Sequence, residues 1–171
     1  MFVSNSENFF LSHRLRIALM ASEIGLNIIL VCPLESGKIS QYDFIKHIDL
    51  KIGRSDRSFI EVFKNSTWLN NIIKSENVDI VHAISVRIVP ICFLSQFLNP
   101  SINFIFAITG LGTLFIDHSL SNRFLRFIFK LFLKIMALRR NARFIFQNLD
   151  DRSDLAIGSP STFKSVLIPG S

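Results

Sequence analysis

Residues 103–117 read NFIFAITGLGTLFID, and the predicted fold is built outward from this stretch. Its first seven residues are almost all Phe, Ile, Ala and Thr, so both faces of a strand here would be apolar. Such a strand is typical of the centre of a parallel sheet, which helices cover on both sides. Gly110 and Gly112 follow and allow a sharp turn or a close approach to a ligand. Ligands of open parallel sheets bind at the carboxyl ends of strands, which predicts a site over Thr109–Thr113. A lone Gly-x-Gly is equally typical of a tight turn with no ligand.

Strands alternate with helices along the whole chain, which predicts a doubly wound parallel sheet, a Rossmann-like α/β fold. Asn8, or Ser4 together with Glu7, is predicted to cap the first helix, and Ser58 with Glu61 the second. The predicted strands are 1–4, 28–32, 45–52, 78–83, 103–109, 142–146 and 165–168; the predicted helices are 9–23, 59–76, 87–98, 121–140 and a short one after Asp150 and Asp151.

The composition indicates one globular domain and limits the classes of partner that the chain is expected to bind. The chain has 171 residues, of which 49% are hydrophobic and 19% charged, so it has enough apolar surface for its own core. The net charge of +6 suits a nucleic acid, a membrane surface or a phosphate-bearing substrate. A single Trp and a single Tyr argue against a base-stacking platform, and no nucleic-acid partner is expected. Cys32 and Cys92 lie in apolar runs and are predicted to be reduced core residues of a cytosolic protein, with no metal site.

The uncharged run from Ile88 to Ile116 is long enough to cross a bilayer. Asn99 and Pro100 interrupt its middle, and glycines follow, so the run is better interpreted as a buried helix followed by a buried strand. The N-terminus lacks the basic region and long apolar core of a signal peptide.

The predicted helix 121–140 is basic and apolar at once. Apart from its basic residues, the sequence is apolar up to Leu138, and no acidic residue occurs between Ser119 and Leu149. This pattern is typical of a helix that rests on an anionic membrane face. Two alternatives remain open: a helix wedged between the sheet and a neighbouring domain, and a well-buried flanking helix. The predicted membrane-contact cations, which span roughly 80° of helical arc, are Arg123, Arg126, Lys130 and Lys134.

Three polar residues are candidates for chemistry. His13 lies near the N-terminus of the predicted first helix, where a neutral imidazole or a bound anion is favoured, and Arg14 beside it can pair with a phosphate. His82 is predicted at the carboxyl end of a strand. Each is, taken alone, more typical of a surface or core residue. No hydrolase triad order, metal-ligand spacing, phosphate-binding loop or dinucleotide-binding loop occurs in the chain.

Several runs occur in one order: NFFLSHRL at 8–15 followed by Gly25, VDIVHA at 78–83, AITGLGTLF at 107–115, RNARFIFQNLDDRSDL at 140–155 and VLIPGS at 166–171. This order resembles the N-terminal domain of retaining glycosyltransferases of family 4, which have the two-domain GT-B fold. The resemblance covers essentially the whole chain. It is greatest to the branch that builds bacterial O-antigen, capsule and other lipid-linked surface polysaccharides.

The resemblance implies a function and a set of site residues. In that family the N-terminal domain holds the acceptor, the C-terminal domain binds the nucleotide-sugar donor, and transfer in the cleft between them needs no obligatory metal. His13 is the implied candidate for catalysis, and Gln147 and Asn148 are implied to face the interdomain cleft. The predicted acceptor-binding residues, of which the resemblance implies His13, Gly110 and Gly112, are Asn5, His13, Arg14, His82, Thr109, Gly110, Gly112 and Thr113.

The chain also departs from the family pattern. Asn8 and Phe9 stand where many members have a glycine pair, and no His follows Thr109 where many members have one. The chain ends at Gly170 and Ser171, where relatives continue into the donor-binding domain. The expectation is therefore an acceptor-binding half, inactive alone, with no cofactor of its own. It would be peripheral to the inner face of the cell membrane, with a lipid-linked saccharide and a donor-binding domain or subunit as partners. Two alternatives are a non-catalytic membrane-associated binding subunit and the remnant of an interrupted gene.

Overall fold

The structure, a computed structural model, describes residues 1–51, 59–109, 120–155 and 165–169, and within these the side chains of all but 59, 120–125, 154 and 155. The strands are β1 (Phe2–Ser4), β2 (Ile28–Cys32), β3 (Ile45–Asp49), β4 (Ile80–Ile84), β5 (Asn103–Ile108), β6 (Ala142–Phe146) and β7 (Ser165–Leu167). The helices are α1 (Glu7–His13), α2 (Leu15–Glu23), α3 (Phe59–Ser75), α4 (Val89–Leu98), α5 (Leu120–Ala137) and α6 (Leu149–Leu155), and a 3-10 turn covers Lys38–Gln41.

The described strands form one parallel sheet of seven strands in the order β3-β2-β1-β4-β5-β6-β7. The predicted doubly wound, Rossmann-like fold is therefore confirmed. Strand order reverses between β1 and β4. The chain adds β2 and then β3 on one side of β1, and it adds β4, β5, β6 and β7 on the other side.

The sheet separates two hydrophobic clusters. On one face α1 and α2 pack over β1, β2 and β4, with Phe10 and Ala18 against Phe2 and Leu30. On the other face α3, α4 and α5 cover β4, β5 and β6. There Phe106 stacks between Phe104 and Phe144, with ring centroids 6.1 and 5.3 Å apart. The apolar character of β5 on both faces, read from the sequence, follows from this central position.

Asn141, just before β6, ties the second face together with buried hydrogen bonds. Its Nδ2 atom donates to the carbonyl oxygens of Gln96 (3.3 Å), Asn99 (3.1 Å) and Ile102 (3.0 Å). Helix α4 ends at Leu98, so these carbonyls lie at or just beyond its C-terminus and lack intrahelical partners. The side-chain amide of Asn141 therefore connects the end of α4 to the segment that precedes β5.

The first helix differs from the prediction. The expected single helix 9–23 is two helices, because Arg14 leaves helical geometry at φ −128° and ψ −12°. The N-cap is Ser6, whose hydroxyl accepts from the Phe9 amide at 3.3 Å, so the predicted caps at Asn8 and Ser4–Glu7 are wrong. The predicted end is confirmed, since Gly25 follows α2 at φ +89°. His13 is consequently the last residue of α1 and not near its N-terminus.

The predicted core positions of both cysteines are confirmed. Cys32 and Cys92 are buried free thiols, and burial raises the pKa of each, that of Cys32 to about 12. Among the described helices, none is long and apolar enough to cross a membrane. The predicted cap at Ser58 lies outside the described residues.

Candidate functional site

The point where strand order reverses lies between β1 and β4. Ser4 and Ile84, the last residues of these strands, are register partners, so Asn5 and Ser85 follow the two strands side by side. Ligands of doubly wound sheets bind at this reversal, outside the carboxyl ends of the strands. Asn5, predicted as an acceptor-binding residue, is therefore placed at the position that the topology favours.

A cavity of about 570 Å³ opens between the α1–α2 break and the strands β4, β6 and β7. Its volume falls in the range of small-molecule sites. Apolar side chains form much of its wall, and cationic and polar groups enter it from the helix break. Lining residues are 11–17, Leu19, His82, Ile145, Gln147, Ile168 and Pro169.

The segment around the break at Arg14 forms one side of the cavity. The backbone leaves helical geometry at Arg14, whose amide still donates to the Phe10 carbonyl at 2.8 Å, and α2 begins at Leu15. The His13 ring rests on Phe9, with centroids 4.6 Å apart. His13 and Arg14, which meet at the break, both line the cavity.

Arg14 and His82 carry unsatisfied hydrogen-bonding atoms. Arg14 Nε and His82 Nε2 are shielded from solvent and have no partner within the described part of the chain. Arg14 donates from Nη1 to the His13 carbonyl at 3.0 Å, which holds the guanidinium near the break. Unpaired buried polar atoms of this kind cost about 1–3 kcal/mol each, so a ligand oxygen that reached them would be bound favourably.

Burial lowers the pKa of His82 to about 4, and the nearby positive charge of Arg14 adds to the effect. The imidazole is therefore neutral at pH 7 and can donate or accept one hydrogen bond at Nε2. Its ring lies on Phe2, with centroids 5.2 Å apart. His82 lies in the middle of β4 and not at its carboxyl end, because the strand begins two residues later and ends one residue later than the predicted 78–83.

A reciprocal pair of carboxylates holds the loop after β2 against the start of α1. Fully buried Glu7 accepts the backbone amides of Glu35 (2.8 Å), Ser36 (2.7 Å), Gly37 (3.2 Å) and Ile39 (2.9 Å). In return, Glu35 accepts from the Ser6 hydroxyl at 3.0 Å and from the Asn8 side chain at 3.0 Å. This clamp connects the segments that leave the carboxyl ends of β1 and β2.

Ser85 was not predicted as a site residue. It has φ +85°, a left-handed conformation that is costly for a residue other than glycine, and its buried hydroxyl has no partner in the described residues. Its amide donates to the Ala107 carbonyl at 3.1 Å, which fixes this backbone beside β5. Sequence pattern gives no signal for it, because serine is unremarkable after a strand.

Replacing Ser85 with glycine is expected to stabilise the protein by about 1 kcal/mol, because glycine tolerates the positive φ and removes the unpaired hydroxyl. The urea midpoint of the purified variant measures this. Asn77→Gly is the matched control, since Asn77 also has a positive φ (48°) but asparagine tolerates that region. A Ser85→Gly midpoint at or below the wild-type value would show that the conformation is not strained.

The other predicted site residues divide into three groups. Gln147 lines the same cavity as His13, Arg14 and His82. Asn148 instead caps α6, accepting from the Asp151 amide at 2.6 Å, and Thr109 follows β5 without lining the cavity. Gly110, Gly112, Thr113 and the side chain of Arg123 lie outside the described residues. Within the described ranges no group of three His, Cys, Asp or Glu residues is placed to hold a metal ion.

A parallel, doubly wound sheet with helices on both faces defines a Rossmann-like α/β domain. The family profile described as "Glycosyl transferase 4-like" matches residues 1–148, and the chain belongs to this family. No curated protein sequence matches the chain. The family-level resemblance predicted from the sequence is confirmed.

Among solved structures, the chain is similar to a crystal structure of a glycosyltransferase from Rickettsia africae ESF-5. The TM-score is 0.72 at 18% sequence identity, over 98% of this chain. At this identity the similarity shows the fold, which is that of a GT-B glycosyltransferase domain. The chain spans 41% of the length of that protein.

Proposed function

We propose that this domain binds the acceptor in a retaining glycosyltransferase of the GT-B type. The donor would be a nucleotide sugar bound by a further domain or a separate subunit. The acceptor would be a lipid-linked saccharide of bacterial surface-polysaccharide synthesis, such as O-antigen, capsule or lipopolysaccharide, at the inner face of the cell membrane. Family membership supports glycosyl transfer, and the observation that carries the acceptor role is the cavity at the α1–α2 break.

The chemistry of the cavity suits a phosphate-linked sugar. Arg14 offers a guanidinium with an unpaired Nε, which is a strong donor to phosphate oxygens. His82 offers a neutral imidazole, which suits a sugar hydroxyl because it can donate to it or accept from it. Ile145 and Ile168 supply an apolar wall against which a sugar ring can pack. Gln147, at the carboxyl end of β6, would orient hydroxyl groups toward the donor side.

His13 remains the proposed catalytic candidate on the acceptor side. It is exposed at the cavity wall, where an acceptor hydroxyl can approach it, and its ring is held against Phe9. An imidazole there would orient the attacking hydroxyl or take its proton. Departure of the nucleotide would be assisted by the donor-binding part.

Calorimetric titration with a short-chain prenyl diphosphate N-acetylhexosamine tests acceptor binding without a membrane. Arg14→Ala is expected to weaken binding about 10- to 100-fold, because one charge-assisted contact contributes about 1.5–3 kcal/mol. Lys74→Gln, an exposed cation on α3 at the opposite face, is the control and should bind as the wild type does. Equal affinity in all three proteins, or no binding to the wild type, would remove the acceptor role from this cavity.

A further inference from the structure

Helix α5 carries an apolar stripe that the described part of the fold leaves uncovered. Phe127 is 64% exposed, Leu131 44% and Leu138 70%. At 100° per residue these three positions and Lys134 fall within about 60° of helical arc, so they form one continuous line along the helix. We call Phe127, Leu131, Lys134 and Leu138 the outer stripe.

The outer stripe is not the core-facing side of the helix. Phe129, Leu133 and Met136 of α5 are buried in the cluster over β4–β6, and Phe132 packs on Phe93 of α4 with centroids 4.8 Å apart. The inner apolar side of the helix is thus packed against the domain, whereas the outer apolar side is exposed. The predicted alternative of a well-buried flanking helix is therefore wrong for the residues from 126 onward.

Positive charge accompanies the outer stripe. Lys134 lies within it, and Lys130 and Arg126 follow along one of its edges at about 40° steps. Within the described residues, neither Lys130 nor Lys134 forms an ion pair, and the sequence has no acidic residue between 119 and 149. A lysine inside an apolar stripe extends its ammonium group outward while its methylene chain stays with the apolar neighbours.

We propose that the outer stripe of α5 docks on an anionic lipid bilayer, with its apolar side chains in the interface and its cations among the phosphate headgroups. A second copy of the chain suits the surface less well, because a two-fold contact would bring Lys130 and Lys134 close to their own counterparts. This inference goes beyond the proposed function: α5 lies on the sheet face opposite α1 and α2, and its docking holds whatever acceptor the cavity takes.

Vesicle sedimentation tests the proposal on the full chain. The wild type is expected to bind vesicles of equal phosphatidylglycerol and phosphatidylcholine at low salt, and not vesicles of phosphatidylcholine alone. Lys130→Gln with Lys134→Gln should weaken binding about thirtyfold, at about fivefold per cation near the surface. Phe127→Ser, Leu131→Ser and Leu138→Ser together should weaken it about a hundredfold or more. All five positions are at least partly exposed, so the fold should tolerate the changes.

Matched variants distinguish binding through the outer stripe from effects of net charge and of exposed apolar surface elsewhere on the protein. Lys38→Gln with Lys74→Gln makes the same change in net charge at exposed lysines elsewhere, and Met20→Ser with Ile24→Ser removes exposed apolar residues from α2 and its C-cap. Both controls should bind vesicles as the wild type does. The proposal is overturned if the wild type ignores anionic vesicles or if the α5 variants bind unchanged. It is also overturned if sedimentation velocity shows that the serine variants lose self-association instead of vesicle binding.

Discussion

Glu7→Ala is expected to lower the free energy of unfolding by about 3–5 kcal/mol, an estimate based on charge-assisted hydrogen bonds and stranded backbone donors. The fully buried carboxylate is the shared acceptor for four backbone amides between Glu35 and Ile39. Its removal leaves these amides without a partner and frees the loop after β2 from the start of α1. Urea unfolding at pH 7 measures the loss.

Glu7→Gln is the isosteric comparison for the charge itself. An amide side chain keeps one acceptor oxygen but turns an NH₂ group toward donors, so the loss should be smaller than for alanine yet well above 1 kcal/mol. Glu61→Gln, an exposed partner of Lys64 on α3, is the control and should change stability by less than about 0.5 kcal/mol. A Glu7→Ala protein as stable as the wild type would show that the loop does not depend on the carboxylate.

The same carboxylate predicts a dependence of stability on pH. Burial alone would raise the pKa of Glu7, but the four backbone donors outweigh burial and lower it to about 2 from its ordinary 4.5. A depressed folded-state pKa contributes stability above the ordinary value and loses it as the pH falls toward the folded value. The wild type should therefore lose an extra increment of stability between about pH 4.5 and pH 2 that Glu7→Gln does not lose. Parallel urea titrations of the wild type and Glu7→Gln through this window check the assignment.

Asn141→Ala is the second large effect, expected to destabilise by about 2–4 kcal/mol because three carbonyl oxygens lose a buried donor. Asn141→Asp should be worse than alanine, since a carboxylate would place oxygen against carbonyl oxygen in a buried site. Asn71→Ala, at an exposed position of α3, is the control. Thermal unfolding followed by circular dichroism gives the order of the four proteins, and an Asn141→Asp variant more stable than Asn141→Ala would contradict the donor role.

Sequence pattern was sufficient for the architecture. The strand at 142–146 was predicted to the residue, as was the one at 28–32, because short buried strands between turn residues are local signals. The alternation of strand and helix predicted a parallel, doubly wound sheet, whereas the order of the strands came from the structure. Candidate residues His13, Arg14, His82 and Gln147 were also named from the sequence, and the structure brings them to one cavity.

What the sequence determined by itself is therefore what depends on neighbours along the chain: the strands, most helix limits and the basic, apolar character of α5. The tertiary structure alone decided the break at Arg14, the strain at Ser85 and the role of Glu7 as an anchor for a loop about thirty residues away. Helical periodicity in the sequence does not indicate where tertiary structure breaks a helix. A glutamate in the first turn of a helix is common because it favours the positive end of the helix dipole, so its position alone does not indicate that it anchors a distant loop. Which side of α5 stayed uncovered also needed the fold, because an apolar arc on a helix shows how much surface must be covered and not what covers it.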